Sequence, residues 1–363
     1  MTVPGRIVVE RGPGETRAAL LADGVALEVV HVRDAEAQPG AIYAGRIGER
    51  LPGGDGVFVD LGLPPPGLLE AKGARFSQGQ LVAVEVLSPA RAEKGPKLGR
   101  VKATVPSVQA APGVIVPAPD PVQAWWACHA KTIAVIDVAP RAEARRLAEL
   151  LGAAAPVVGH ADPLFADLED QIDAALAPVV PLPGGGRLVI EPTCALVAVD
   201  IDAGAARPEA ANAAAMAALA HHMRLRNLAG RIVVDLIPTR APRRFVGQLR
   251  ELCRDDPAGL QIMGLSPSGL IDILRRRTRP SLRETLCDAA GQPSPATVAY
   301  RALRLAWREF DARKTAHLNL AVAAEVQALL NERLAPALAE ARTRGEIAVV
   351  AAPGFPRARI EIS

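Results

Sequence analysis

Cysteine, aromatic residues, lysine and long apolar runs are all scarce in this chain of 363 residues, and each shortage excludes something. The four cysteines, Cys128, Cys194, Cys253 and Cys287, are widely scattered. No paired spacing suits a zinc centre, and no dense pattern suits a disulfide framework. Aromatics make up 3% of the residues while hydrophobic residues make up 50%, so aliphatic side chains must build the core. No run approaches the ~18 to 20 apolar residues of a membrane span. The opening Met1 to Glu15 places charges where a signal peptide would need an uninterrupted apolar stretch. The expectation is a globular cytoplasmic protein without a membrane partner.

What is present begins with length, which is enough for two or three domains with well-buried cores. Lys and Arg number 42 against 39 Asp and Glu, a net charge of +3 that hides an uneven distribution. From Arg224 to Arg283 there are 13 arginines against five acidic residues, leaving 29 basic and 34 acidic residues elsewhere. Such a local excess suits a polyanion, because neutralising phosphates releases condensed counterions and steers encounter. A general preference for arginine in a chain with few lysines is the competing reading, and it leaves the clustering unexplained.

Residues 6 to 33 alternate as strands do, and from Gly40 to Leu87 short strand-like runs end in glycine or proline. That spacing predicts a meander followed by a small closed barrel of the OB type. Five prolines between residues 102 and 123 predict a linker. Beyond it, Thr132 to Ile136 reads as a buried strand, and Arg141 to Leu151 and Ala166 to Leu176 as helices. Leu188 to Ile190 and Ala195 to Asp202 read as strands, Pro208 to Leu228 as a helix stopped by Gly230, and Arg231 to Ile237 as another buried strand. Arg243 to Arg254 is expected as a helix and Leu260 to Met263 as a strand, giving a mixed α/β sheet. After a second expected linker at Ala289 to Ala296, helices are expected at Ala299 to Arg313 and Ala321 to Arg342, ahead of two terminal strands.

Chemistry concentrates in Leu196-Val-Ala-Val-Asp-Ile-Asp202. A period of two sends Val197, Val199 and Ile201 to one face, and Leu196, Ala198, Asp200 and Asp202 to the other. A second buried strand, Ile232-Val-Val-Asp235, also finishes on an acid, and strands joined by one helix often lie side by side. Aspartate after three aliphatic residues is a poor strand residue that needs a cationic partner. Mg²⁺ is the simplest such partner, since it takes one or two carboxylates plus waters and leaves room for a phosphate oxygen. Taken singly, aspartates at strand ends also cap turns or pair with arginines.

These residues carry a resemblance to the ribonuclease E/G family of bacterial endoribonucleases. Gly40-Ala-Ile-Tyr-Ala-Gly-Arg46 and Gly56-Val-Phe-Val-Asp-Leu-Gly62 are similar to the family's RNA-binding barrel. Leu182 to Ile190, Ala195 to Asp202, Leu225 to Asp235 and Arg275 to Leu282 resemble its catalytic core in the right order. The resemblance implies a multidomain α/β protein. An RNase H-like subdomain would be split into 1–38 and 114–180 around an OB-fold barrel at 39–100. The Pro-rich linker 101–123 would replace the family's 5′ sensor, 181–288 would form a DNase I-like catalytic subdomain, and 297–363 a small C-terminal α/β domain. The implied activity is Mg²⁺-dependent hydrolysis of single-stranded RNA to 5′-phosphate and 3′-hydroxyl ends, in RNA processing or turnover.

In that resemblance Asp200 and Asp235 fall on the two metal-binding aspartates, while Asp202 is a third catalytic candidate from its place on the same strand face. Phe58 falls on a base-stacking aromatic and Lys94 beside the RNA path. From the basic segment, Arg224, Arg226, Arg243, Arg244, Arg275, Arg276 and Arg277 are the candidates to contact RNA. The family's Asp-x-Asn is Asp200-Ile-Asp202 here, which puts an acceptor-only carboxylate in place of an amide. A catalytically impaired RNA-binding protein on the same scaffold is therefore the alternative. Leu68 stands where the barrel has a second aromatic, and lone Cys287 cannot complete a shared site, so no structural zinc is expected. A homodimer remains open through the C-terminal domain. The vicinal His221 and His222 point in different directions, which favours packing over metal binding. Gly184 to Gly186 lacks the lysine of a phosphate loop and reads as a hairpin, and the Trp125-Trp126 pair reads as core.

Overall fold

In the computed structural model, residues 3–70, 76–90, 94–101, 110–313 and 315–363 are described. Three aliphatic strands open the chain, β1 (Arg6–Gly12), β2 (Glu15–Ala22) and β3 (Val25–Arg33). The chain then leaves this sheet for β4 (Ile42–Arg50), β5 (Gly56–Asp60), β6 (Gly67–Glu70), β7 (Leu81–Ser88), β8 (Lys97–Arg100) and β9 (Gly113–Val116). Pairing runs β5-β6-β8-β7-β4, and a direct β4–β5 pairing closes five strands into a barrel. Val57, Val59, Leu69, Val84, Val86 and Leu98 fill its interior. Closure leaves an edge only at the start of β4, and β9 takes it up.

The expected linker is more structured than its prolines suggested. Residues 102–109 lie outside the described residues, but β9 pairs with β4 and α1 (Pro121–His129) begins at the end of the same stretch. Asp120 caps that helix, accepting from the Val122 and Gln123 amides, and Pro121 occupies a first-turn position that needs no amide donor. Trp125 is buried, as expected, and its indole donates to Glu28.

Four elements follow: β10 (Val135–Ala139), α2 (Arg141–Leu151), β11 (Val157–Gly159) and α3 (Ala166–Leu176). Strand β10 pairs in parallel with β1, so the first sheet is completed, in the order β11-β10-β1-β2-β3, after the barrel has been built. The barrel is thus inserted in the chain between two halves of one sheet. That sheet is buried on both faces: one meets α3, Leu225 and Leu282, and the other meets α1 and α2.

The third unit is a six-stranded mixed sheet, with β12 (Val179–Pro181), β13 (Arg187–Pro192), β14 (Val197–Asp202), α4 (Pro208–Leu225), β15 (Gly230–Val234), α5 (Arg243–Leu252), β16 (Leu260–Leu265) and β17 (Ile271–Arg275). Its order is β12-β13-β14-β15-β17-β16, and only β14–β15 is parallel, with α4 as the crossover. One face carries Leu188, Ile190, Val199, Ile232 and Ile273 onto Met216, Leu219 and Met223 of α4 and Phe245 and Leu249 of α5. The other face is open. Helix α4 stops at Leu225, short of Gly230, because Asn227 takes a left-handed φ of 48°.

The chain closes with α6 (Leu282–Leu286), α7 (Pro295–Arg313), β18 (His317–Val322), α8 (Ala324–Asn331), α9 (Ala335–Ala341), β19 (Glu346–Ala351) and β20 (Glu361–Ile362). The single helix expected over Ala321 to Arg342 is in fact a strand end and two helices. Pro336 has no amide proton to continue a helix and sits in the first turn of α9 instead. Among the described residues no helix is long and apolar enough to cross a membrane.

Candidate active site

Strands β14 and β15 run in parallel with Val197 opposite Ile232, Ala198 opposite Val233 and Val199 opposite Val234. The next pair along that register is Asp200 and Asp235. The Asp235 amide donates to the Val199 carbonyl at 2.8 Å, which extends the alignment past the last paired residue. Alternation does the rest. Val199, Ile201, Val234 and Leu236 are buried toward α4, so Asp200 and Asp235 are exposed together on the open face. Neighbouring strands lie about 4.8 Å apart, a spacing at which two carboxylates can share one small cation.

Asp202 sits two residues further along the same strand face, and its carboxylate is already engaged. It accepts from the Gly204 amide at 3.0 Å and pairs with Arg187, also at 3.0 Å, which stands opposite it on β13. The three-glycine turn brings Arg187 there. A Cβ at Gly186 would come within 2.6 Å of the Asp202 carbonyl oxygen, and one at Gly204 within 2.3 Å of the Gly185 carbonyl oxygen. Only glycine permits that approach. The expected trio thus divides into an exposed pair and a third carboxylate held by an arginine. Among the described residues no group of three or more His, Cys, Asp and Glu side chains is placed to hold a metal ion. The pair fits Mg²⁺ only in the mode where water and substrate oxygens supply the remaining ligands.

The arginines are not the uniform basic stripe that their spacing implied. Arg275 is 3% exposed, with its Nε on Asp256 and its Nη1 on Asn227 Oδ1 and the Leu228 carbonyl, so it is structural and is buried away from any phosphate at the surface. It sits on the core side of β17, where strand alternation puts it. Arg224 donates to Glu28, and Arg277 to Glu284. Arg226 is buried at 6% exposure and donates to His222 Nδ1, while its Nη2 has no partner. Burial without a carboxylate brings its pKa down to about 10. The imidazole of His222 drops to about 3, through burial first and then Arg226 and His221. Arg243, Arg244 and Arg276 are exposed with no ion pair among the described residues, the first two on the opening turn of the helix that follows Asp235.

On the barrel, Phe58 is half-buried and turned away from the interior that Val57 and Val59 fill. It stands opposite Leu68, which in turn stands beside Lys97. Lys94 is exposed just ahead of β8.

Two residues near the carboxylates were missed at the level of sequence. Arg187 was legible only through the register of a hairpin with three glycines at its turn. Asn212 left a clearer mark, a polar residue on the same helical stripe as Met216, Leu219 and Met223. It is fully buried, and it donates to the Ile237 carbonyl at 2.8 Å while accepting from the Ile237 amide at 3.1 Å.

Residues 130–278 match the Ribonuclease E/G family. Ribonuclease E of Escherichia coli (strain K12) is 40% identical over 136 residues, which is 34% of this chain and 13% of that protein. Ribonuclease E of Haemophilus influenzae is 31% identical over 211 residues, 53% of this chain and 23% of that protein. Ribonuclease G of Salmonella typhimurium is 36% identical over 143 residues, 36% of this chain and 29% of that protein. This chain therefore spans less than a third of the length of each of these relatives.

Proposed function

We propose, for a chain that belongs to the ribonuclease E/G family through its residues 130–278, a Mg²⁺-dependent endoribonuclease that hydrolyses single-stranded RNA. The observation that carries the reading is the register of β14 and β15, which sets Asp200 beside Asp235 on an open sheet face. In this reading those two carboxylates hold the cation and present it to a backbone phosphate. Bound Mg²⁺ supplies charge neutralisation at the phosphoryl group and a more acidic water. Water attack at phosphorus with departure of the 3′ oxygen leaves 5′-phosphate and 3′-hydroxyl ends. Arg243, Arg244, Arg276 and Lys94 remain as cations for the RNA backbone. Phe58 offers a face for one base, and the fixed Arg275 is withdrawn from that role.

The same reading assigns the six-stranded sheet to a DNase I-like catalytic subdomain, and the sheet interrupted by the barrel to a split RNase H-like subdomain. The barrel is taken as an OB fold. The second reading, an RNA-binding protein without turnover, draws on Asp202 and its arginine, which add a fixed charge pair beside the metal site.

One experiment separates them. Incubate the full chain with a single-stranded A/U-rich RNA, with and without Mg²⁺, alongside Asp200→Ala and Asp235→Ala. The expected result is Mg²⁺-dependent cleavage that falls by at least ~100-fold in both variants, in line with removal of a metal ligand. Binding without any cleavage by the unaltered chain would sink the enzyme reading.

A further inference from the structure

We propose that Asn212 is a positioning residue that fixes Asp235 against Asp200 and thereby sets the affinity of the carboxylate pair for a divalent cation; this rests on the assignment of that pair made above.

The ladder that aligns β15 with β14 ends at Val234, so Asp235 is the first residue beyond it. What holds Asp235 in register is therefore local. Its own amide donates to Val199, Leu236 is buried in the core beneath the sheet, and both backbone groups of Ile237 are taken by the Asn212 side chain. An amide is the group that can do this, since it presents a donor and an acceptor in one plane, matching a peptide's C=O and N–H. Alanine would leave two part-buried backbone groups without this partner, and aspartate would lose the donor while adding a charge.

Asn212 lies near the start of α4, the helix that joins the strand of Asp200 to the strand of Asp235. Both carboxylates and the clamp thus belong to one β-α-β unit. Any slackening at Ile237 is passed to Asp235 within two residues. Sites that share a cation tolerate only about 0.5 Å of error in ligand position. The segment that follows, Pro238 to Ala241, leads directly to the arginines on α5, so the clamp also fixes where those cations emerge.

The test is Mn²⁺ binding to the full chain, followed by electron paramagnetic resonance, with thermal unfolding measured in parallel. Asn212→Ala, and Asn212→Ser should the alanine variant fail to fold, is compared with Gln248→Ala. Gln248, on α5, donates to the carbonyl of the adjacent Ala213, so its loss removes a bond to the same helix while both bonds between Asn212 and Ile237 remain. The expected result is an Mn²⁺ dissociation constant raised at least about tenfold by the Asn212 variants and changed by less than about twofold by Gln248→Ala. Unaltered Mn²⁺ affinity in the Asn212 variants overturns the proposal while leaving the pair's assignment intact. A parent chain that binds Mn²⁺ no better than Asp235→Ala overturns the assignment of the pair, and the clamp's role with it.

Discussion

Asp202 adds a third negative charge close to two exposed carboxylates, and Arg187 on the neighbouring strand neutralises it. Both side chains of this pair are about half exposed, so the pair itself contributes at most about 1 kcal/mol. Asp202→Asn is accordingly expected to change kcat/KM for RNA cleavage by less than about fivefold, the equivalent of that energy. A loss as large as that of Asp235→Ala would show instead that Asp202 acts directly on the substrate or cation.

His222 gives a second residue-level expectation, in pH. Its folded-state pKa of about 3 lies below the ordinary value of 6.5, so between those two values the unfolded chain holds a proton that the folded chain refuses. Stability from this group is fully present above pH 6.5 and is lost as pH falls toward 3. Glu15 works in the same direction, at lower pH. Burial acts to raise its carboxyl, and Arg304, His31 and Arg33 outweigh burial and hold it well below the usual range. Urea unfolding of His222→Gln should show a flatter pH dependence than the parent between pH 4 and 6.5, a window bracketed by those two values. An unchanged slope would mean that the imidazole is free to protonate in the fold.

At the scale of elements, β14, α4 and β15 form the unit that makes the site, and β4 to β8 make the surface that could hold a base. Helix α4 buries one stripe, Asn212, Met216, Leu219 and Met223, so a polar clamp and an apolar anchor share one face. On the barrel, Phe58 stands outward on β5 opposite Leu68 rather than opposite another ring. Under the proposed function, one aromatic platform in place of two would limit the grip on single strands. Phe58→Ala is expected to weaken RNA binding by about 1 to 3 kcal/mol, read by fluorescence anisotropy with a short single-stranded oligonucleotide in the absence of divalent cation. No change in affinity would place the RNA path elsewhere.

Across the whole molecule, buried ion pairs tie the units together. Glu15 on β2 meets Arg33 and His31 on β3 and Arg304 on α7; Glu10 on β1 meets Arg17 and Arg308; Glu28 on β3 meets Arg224 from α4 and Arg279. Each glutamate is at most 5% exposed, so each would be costly without its partners. Two arginines of what counted as a basic segment in the sequence, Arg224 and Arg279, are thereby spent on Glu28. Removing the charge in Glu15→Gln should destabilise the fold by about 3 to 5 kcal/mol in a urea titration, because two arginines would be left buried without their shared carboxylate. A loss below about 1 kcal/mol would show that water reaches this cluster.

Strand alternation and the position of the acids were legible in Val197 to Asp202 and in Ile232 to Asp235, because period two and aliphatic burial are local properties. So were α2, α3 and the start of α4, whose apolar spacing and prolines need no distant partner. Local pattern misled where a later contact decides the outcome. β9 exists because β4 offers an edge to it, β18 because β19 and β20 flank it, and α8 and α9 are separate because Pro336 is better placed in a first turn. The role of each arginine could not be read in advance, since Arg275 and Arg276 are neighbours in the chain, yet Arg275 ends β17 on its core side and Arg276, just past the strand, is exposed. The sequence by itself determined that three aspartates end two buried strands. Only the tertiary structure decided that Asp200 and Asp235 form the open pair and that Asp202 is held by Arg187. Register between strands far apart in the chain is set by the hydrogen-bonded ladder and the packing beneath it, not by either strand alone.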